Sequence, residues 1–253
     1  MRITNDTEAA LLHVADGGAA ATHPLYSAEA FRIVSRHWMT LGWNLGHWAT
    51  FSWMGRQLPQ FPDDVLRLAE LLWRLRPDVV VETGVYDGGS ALLFAGFCRV
   101  ISVERDLRPG VREALHEAAA DRVILIEGDS AEPETARAVA RQIRDGERVC
   151  VFLDSDRSAR HVAAELANFA RLVTPGCYLI VADSICPELA RTPQGNAAWA
   201  HDHPGAAVDR FLAAHPEFTR ERPKPLFGAD FDFTELSYFA ATWLKRSTSA
   251  GPM

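Results

Sequence analysis

The chain alternates between short, continuous apolar runs and longer segments in which apolar residues recur at helical spacing. The continuous runs predict buried strands, and they are typical of parallel strands covered on both faces. They lie at residues 78–82, 99–103, 122–126, 149–153 and 177–181. The helical spacing predicts helices at residues 27–36, 63–76, 91–97, 132–145, 159–172 and 205–214.

Two further runs, at residues 218–222 and 238–244, add a late pair of strands. Strands that alternate with helices predict an α/β fold, and the late pair fits one antiparallel insertion. We therefore predict a doubly wound, mostly parallel, seven-stranded Rossmann-like sheet. It occupies residues 63–246, after an N-terminal leader and extension at 1–62 and before a flexible tail at 247–253.

The stretch at residues 79–90, V-V-V-E-T-G-V-Y-D-G-G-S, predicts a buried strand, a turn and a helix start. Gly84 frees the turn from side-chain constraint, Gly88 and Gly89 would let a ligand approach the backbone, and Ser90 can accept from the free amides of the helix. Turns at the carboxyl ends of parallel strands commonly bind small ligands. The alternative is a strand–helix junction that binds nothing. The spacing matches neither G-x-G-x-x-G nor a P-loop, which disfavours nicotinamide cofactors and ATP.

Acids follow the next strands at positions where a nucleotide-like ligand could be held. Glu104 ends the second strand and can accept hydrogen bonds from ribose hydroxyls. Asp129 and Ser130 follow the third strand, where an adenine edge could be read, although Gly-Asp-Ser is also an ordinary turn.

A second group of acids follows the fourth and fifth strands. Asp154, Asp156 and Asp183 should lie on the same side of the sheet as the glycine-rich turn. They suit a divalent ion with oxygen ligands, or a base for a hydroxyl group. The alternative is that one acid caps the following helix while the others are solvated.

Composition narrows the choice of partner. The net charge of −7 and the pI near 5.7 give no broad basic field, so we expect a small-molecule partner, no nucleic acid and no membrane. Four cysteines without a C-x-x-C spacing predict free thiols. With no apolar N-terminal core and no run of about 20 apolar residues, we expect a cytoplasmic protein.

The N-terminal quarter divides into two parts. Residues 1–25 are small and polar, which predicts a loose leader. The following segment holds four tryptophans, and it predicts aromatic packing onto the domain or a subunit partner, or else a lid over the cofactor or a wall for the acceptor. They are Trp38, Trp43, Trp48 and Trp53.

Four stretches together give a specific resemblance: W-M-G-R-Q-L-P-Q-F-P-D-D, V-E-T-G-V-Y-D-G-G-S-A-L-L-F-A, F-L-D-S-D-R-S-A-R-H-V-A-A-E-L and L-V-T-P-G-C-Y-L-I-V-A-D-S. In order and spacing, over residues 53–246, they resemble the cephalosporin hydroxylase and rhamnosyl O-methyltransferase family. The resemblance implies a class I methyltransferase fold, S-adenosylmethionine as cofactor and, in many members, Mg²⁺.

Matching by position gives the expected roles of individual residues. The cofactor is expected on Glu82, Gly84, Tyr86, Gly88, Gly89, Ser90, Glu104, Asp129, Ser130 and Asp154. The metal is expected on Asp154 and Asp183, and the candidate bases are Asp154, Asp156 and His161. Three residues differ from the usual pattern of the family: Ala182 replaces an acid, Arg157 replaces a frequent histidine and Gln60 replaces a frequent lysine. The first weakens the metal prediction, and the second removes an obvious general base.

The resulting hypothesis is an S-adenosylmethionine-dependent O-methyltransferase acting on a hydroxyl of a sugar or other small natural product in bacterial secondary metabolism, such as antibiotic biosynthesis. We expect a glycosylated acceptor and a homo-oligomer. Two alternatives stay open: N-methylation of a small molecule, and a cofactor-binding partner of another biosynthetic enzyme that lacks turnover.

Overall fold

A computed structural model describes residues 1–228 and 236–248. Its main element is a seven-stranded sheet. The strands are β6 (Val79–Thr83), β7 (Arg99–Glu104), β8 (Val123–Glu127), β9 (Val149–Leu153), β10 (Tyr178–Val181), β11 (Phe218–Arg220) and β12 (Trp243–Arg246). Their spatial order is β11-β12-β10-β9-β6-β7-β8. The first five run parallel, and β12 pairs antiparallel with both β10 and β11. The predicted fold class is confirmed.

Helices cover the sheet and connect its parallel strands. They are α2 (Pro62–Leu75), α3 (Gly89–Ala95), α4 (Val111–Ala119), α5 (Pro133–Ala140), α6 (Ala159–Phe169), α7 (Cys186–Leu189) and α8 (Pro204–Ala214). All five residues of β6 and of β9 are buried. This explains why both strands read as continuous apolar runs instead of alternating ones. No helix in residues 1–228 or 236–248 is long and apolar enough to cross a membrane.

The N-terminal residues are ordered, so the prediction of a loose leader is wrong. They form a three-stranded antiparallel sheet of β1 (Arg2–Asp6), β2 (Leu11–Asp16) and β3 (Ala19–Pro24). Turns at residues 7–10 and 17–18 connect the strands, and Leu12 is buried. The small, polar composition hid a sheet in which Leu12 alone of residues 1–24 is buried.

The helical N-terminal extension is longer than predicted. Helix α1 (Ala28–Asn44) begins after Ser27, whose Oγ accepts a hydrogen bond of 3.2 Å from the Ala30 amide. A short hairpin of β4 (Ser52–Trp53) and β5 (Arg56–Gln57) follows. The hairpin contacts α3 and reaches the glycine-rich turn through Asp87, which binds the Arg56 side chain and the Gln57 amide.

Neither Asp63 nor Asp64 caps the start of α2, although both lie in its first turn. The capping position is Phe61, with Pro62 as the first helical residue, and no side chain bonds the free amides. Asp64 is instead fully buried and accepts hydrogen bonds from the Ser237 hydroxyl and the Tyr238 amide. Burial raises the pKa of Asp64 to about 7, against the effect of these two hydrogen bonds. Asp64 thus links α2 to the segment before β12.

The glycines of the turn after β6 have packing roles. Gly84, at φ +85°, lies so close to the neighbouring strand end that a Cβ atom would sit 2.2 Å from the Asp154 carbonyl oxygen. A Cβ on Gly88 would lie 2.9 Å from Leu115 of α4, and one on Gly89 would lie 2.3 Å from the Gln57 carbonyl oxygen. Protein atoms therefore fill the space that a side chain at Gly88 or Gly89 would need, and the approach of a ligand to their backbone stays a prediction.

Several boundaries moved, and two helices were missed. No helix was predicted at α4 or α7, and the predicted helix at residues 132–145 ends at Ala140. Residues 185–203, between β10 and α8, contain α7 and a turn of 3₁₀ helix. The strand predicted at residues 238–244 begins at Trp243, five residues after its predicted start. Part of the aromatic F-G-A-D-F-D-F stretch and most of the predicted tail lie outside the described residues.

Replacing Gly84 by Ala should destabilise the protein much more than replacing Gly146 by Ala. Both glycines have φ near +84°, but no atom of residues 1–228 or 236–248 lies within 4 Å of a Cβ on Gly146. In the control, Gly146→Ala, only the left-handed backbone conformation is unfavourable, which should cost about 1 kcal/mol. Gly84→Ala adds a clash with backbone atoms, so we expect its free energy of unfolding to fall by at least about 2 kcal/mol more than that of the control. Equal losses in urea denaturation would contradict the close contact.

Candidate active site

A cavity with converging polar groups lies at the carboxyl ends of β6, β7, β8 and β9. Its volume of about 330 Å³ is within the usual range for small-ligand pockets. The lining residues fall into three groups: the turn after β6, the acids after β7 and β8, and the segment after β9. They include Gly84, Tyr86, Ser90, Glu104, Asp129, Ser130, Asp154, Asp156, Arg157 and His161.

Glu82 lies beneath this cavity, on β6, and is fully buried. Its Oε1 accepts a hydrogen bond of 2.9 Å from the Ser90 hydroxyl, whereas Oε2 has no partner among the described residues. Burial raises the pKa of Glu82 to about 8. Ser90 was expected to accept from the amides at the start of α3, but its hydroxyl donates to Glu82 instead. An incompletely bonded buried acid of this kind can receive a positively charged ligand group.

Glu104 closes the end of β7 and holds the glycine-rich turn. Its Oε2 accepts hydrogen bonds from the amides of Val85 and Tyr86, at 2.9 and 3.0 Å. Its Oε1 accepts from the amides of Arg105 and Asp106. Glu104 therefore lines the cavity where a ribose-binding acid was predicted, and in this structure its carboxylate organises two loops.

Asp129 and Ser130 line the other end of the cavity, beside His161. The His161 Nε2 atom lies 3.1 Å from the hydroxyls of both Ser130 and Ser155. Ser155 in turn donates to Glu165, which is fully buried. The hydrogen-bonding partner Glu165 raises the pKa of His161, against the effect of its partial burial. His161 is thus part of a serine and glutamate network at the predicted adenine end.

Asp154 and Asp156 behave differently although both follow β9. The Asp154 Oδ2 atom accepts a hydrogen bond of 2.6 Å from the side-chain amide of Gln60. Burial and the neighbouring Asp183 raise the pKa of Asp154 well above its usual range. Asp156 is exposed and accepts from the Ser158 amide before α6. For Asp156, partial burial opposes ionisation, but the bonds from Ser158 outweigh it and lower the pKa. Asp156 therefore fits the alternative of a helix-start acid.

The expected metal position contains an arginine. Asp183 is 7% exposed and at φ +60°, and its carboxylate accepts a hydrogen bond from the Nε–H of Arg157. Ala182 contributes no ligand, and the remaining cavity between Asp154, Asp183 and Arg157 is about 20 Å³, room for roughly one water. Among residues 1–228 and 236–248, no group of three or more His, Cys, Asp or Glu could hold a metal ion. The residues present do not fit a hydrated divalent ion.

The tryptophan-rich segment packs onto the domain and also reaches the cavity. The Trp43 ring lies 5.1 Å from the Tyr238 ring and 5.8 Å from the Trp48 ring. Trp48 lines the cavity, and its buried Nε1 has no hydrogen-bond partner among the residues described. The packing interpretation is confirmed, and Trp48 as a ligand-facing wall stays a prediction. Sequence reasoning had no signal for which of the four tryptophans would face the cavity.

A family model described as Rhamnosyl O-methyltransferase/CmcI matches residues 45–247. The chain belongs to this family. A rhamnosyl O-methyltransferase of Mycobacterium leprae is 35% identical over 159 residues, which cover 56% of this chain and 65% of the relative. The Mycobacterium bovis rhamnosyl O-methyltransferase is 30% identical over 151 residues and 61% of its length is covered. The chain thus spans somewhat less than two thirds of these relatives.

Solved structures of the same family share the fold. An apo structure of CmcI is 20% identical, with a TM-score of 0.53 and coverage of 79% of this chain and 78% of that one. A CmcI structure described as Mg-SAM has the same identity and coverage and a TM-score of 0.51. At this identity the likeness concerns the fold, which is the Rossmann-like methyltransferase fold expected from the sequence.

The residues around the cavity fit S-adenosylmethionine. Trp48 and Glu104 line the cavity and offer an unpartnered Nε1 donor and carboxylate oxygens. Beneath the lining residue Ser90, the buried Glu82 Oε2 atom also has no partner among the described residues. The cofactor is cationic at its sulfonium and ammonium groups, and both are favoured beside buried acids. Gly88 and Gly89 do not line the cavity; their lack of a side chain lets α4 and β5 pack against the turn, and their contact with the cofactor stays a prediction.

Cofactor binding should release a proton from Glu82 near pH 7. The carboxyl, with a pKa of about 8, is mostly protonated in the free protein, and a bound ammonium group favours its ionised form. Calorimetry with S-adenosylhomocysteine, in buffers of different ionisation enthalpy, should show nearly one proton released at pH 7 and less above pH 8. Glu82→Gln should lose this release, and Glu127→Gln, at an exposed strand end, should keep it. The same release from Glu82→Gln would refute the assignment.

Proposed function

We propose that this protein is an S-adenosylmethionine-dependent O-methyltransferase that acts on a hydroxyl of a sugar or other small natural product in bacterial secondary metabolism. The observation that carries the proposal is the cavity at the carboxyl ends of four parallel strands, with Glu82 beneath it and Glu104, Asp129 and Asp154 along its wall. Family membership supports the same reaction class.

The cofactor would extend along the cavity from Glu82 to Asp129. Glu82 and Ser90 would receive the methionine part, Glu104 the ribose hydroxyls, and Asp129 and Ser130 the adenine edge. Glu104 now accepts from the Val85 and Tyr86 amides, so it would share or exchange these bonds when ribose hydroxyls arrive. Tyr86, at φ +53° with the Arg108 guanidinium 3.6 Å from its ring centroid, borders the same region.

Among the three candidate bases, Asp154 is the best placed. Asp156 is exposed and bonded to the Ser158 amide, and the His161 Nε2 atom is engaged by the hydroxyls of Ser130 and Ser155. Asp154 lies between Gln60 and Arg157 on the cavity wall. The methyl carbon would form a bond to the acceptor oxygen as its bond to sulfur breaks. Sulfur would keep that electron pair, and Asp154 would take the hydroxyl proton.

A second cavity, of about 300 Å³, offers a place for the acceptor. It shares Ser155, Asp156 and Arg157 with the first cavity. Its other lining residues are mostly polar and include one aromatic ring. Asn196, Trp199 and Asp202 come from the long segment between β10 and α8. Hydrogen-bonding groups beside a flat ring suit a polyhydroxylated ligand, in agreement with a glycosylated acceptor.

A homo-oligomer is supported by the outer face of α1. Val34, Trp38, Leu41 and Leu45 follow one another at spacings of three or four residues and are 45–85% exposed. These positions lie on one side of a helix, and such an apolar stripe is typical of a protein interface.

The proposal is tested by incubating the protein with methyl-labelled S-adenosylmethionine and two acceptor panels, one of rhamnosides and other glycosides, one of amines. We expect label in a hydroxyl-bearing glycoside. Label only in amines would favour the N-methyltransferase alternative, and cofactor binding without transfer to any acceptor would favour a non-catalytic partner.

Removing the Glu104 side chain should weaken cofactor binding. Hydrogen bonds to a charged acceptor contribute about 1.5–3 kcal/mol, so Glu104→Ala should raise the dissociation constant of S-adenosylhomocysteine by at least about tenfold. Glu127→Ala is the matched control, because Glu127 pairs in register with Glu104 on the outer strand. Calorimetry should show no binding of NAD. Binding of NAD without binding of S-adenosylhomocysteine would overturn the proposal.

A further inference from the structure

The acids after β9 and β10, Asp154 and Asp183, lie beside the positive charge of the Arg157 side chain. The Arg157 guanidinium donates to the buried Asp183 carboxylate, and its positive charge also favours the ionised form of Asp154. On its other sides the guanidinium carbon lies 5.4 Å from the Trp43 ring centroid and 6.0 Å from that of Trp199. An arginine bonded to an acid and stacked near two rings is held in one orientation.

The side chain also stands at the boundary of the two cavities. Arg157 lines the larger cavity, where we place the cofactor, and the second cavity, which contains Trp199 and Asp202. The Arg157 side chain is 44% exposed, whereas the Asp183 side chain behind it is only 10% exposed. The guanidinium therefore presents some of its N–H groups to the space where an acceptor oxygen would meet the methyl group.

We propose that Arg157 takes the place of a divalent metal in this protein, holding the acceptor oxygen with its guanidinium while Asp183 holds the arginine. The inference rests on the proposed function for the identity of the acceptor. Two replacements act together: Ala182 removes a carboxylate ligand, and Arg157 fills the position with a permanent charge that needs no ion from solution. The hydroxyl proton passes to Asp154, and no metal takes part.

This arrangement predicts how the protein treats metal ions, independently of any acceptor. Titration of the full-length protein with Mn²⁺, followed by electron paramagnetic resonance with and without S-adenosylhomocysteine, should show no saturable site at millimolar concentrations. The double variant Arg157→His with Ala182→Glu restores an acid and removes the guanidinium, and it should gain one saturable site. Arg160→His, on the exposed face of α6, is the matched control and should behave like the wild type. A saturable wild-type site that disappears in Asp183→Asn would overturn the proposal.

Turnover gives a second, separate test. Chelation should leave the wild-type rate unchanged, and Arg157→Ala should lower kcat by about 100-fold, because one fixed donor to the reacting oxygen is lost. The affinity for S-adenosylhomocysteine should change less than about twofold, and Arg157→Lys should recover part of kcat by keeping the charge. Loss of wild-type turnover on chelation, with recovery on adding Mg²⁺, would overturn the proposal. Absence of any turnover would count against the proposed function, whereas the Mn²⁺ titration would still decide the role of Arg157.

Discussion

The close contact between the ends of β6 and β9 is the constraint on which the site depends. Gly84 approaches the Asp154 carbonyl more closely than any residue with a side chain could, and the Asp154 amide donates to the Thr83 carbonyl across the same gap. This contact sets the separation between the glycine-rich turn and the acids after β9. Because parallel strands end at one edge of the sheet, the acids after β7, β8 and β10 lie at that edge as well.

Concentrating acids at one edge has an electrostatic cost, which the structure meets in three ways. Burial keeps Glu82 largely protonated near pH 7, backbone amides bond both oxygens of Glu104, and Arg157 neutralises Asp183. Gln60 adds a neutral donor to Asp154. The result is a cavity in which several acids lie close together because most of them are neutral, amide-bonded or paired before a ligand binds. The ammonium group of S-adenosylmethionine would favour the ionised form of Glu82.

The central part of the fold was predictable because its strands are buried on both faces. The boundaries of β9 were predicted to the residue, and β6 and β7 nearly so, since unbroken apolar runs leave little ambiguity. The N-terminal sheet was not predictable, because its small and polar residues lack the alternation that marks a half-buried strand. Helix α4 was missed although Val111 and Leu115 are buried, because charged residues and alanines surround them.

The candidate site was predictable in position but less so in its bonding. Sequence order correctly brings Glu104, Asp129, Asp154 and His161 to one cavity. It does not reveal that Ser90 bonds Glu82, that Gly88 and Gly89 serve helix and hairpin packing, or that Asp64 is buried against Ser237. These are contacts between residues far apart in the chain. Arg157 was noticed only as a missing histidine, and its role depends on Asp183, 26 residues later.

The most direct test of this account is a crystal structure of the protein with S-adenosylhomocysteine, solved in buffer that contains Mg²⁺. We expect the ligand in the 330 Å³ cavity, its ribose hydroxyls within hydrogen-bond distance of Glu104 and its ammonium group on the Glu82 side. The Arg157 guanidinium should stay bonded to Asp183, facing the ligand sulfur. A ligand bound outside this cavity, or a magnesium ion between Asp154 and Asp183 with Arg157 displaced, would contradict the account.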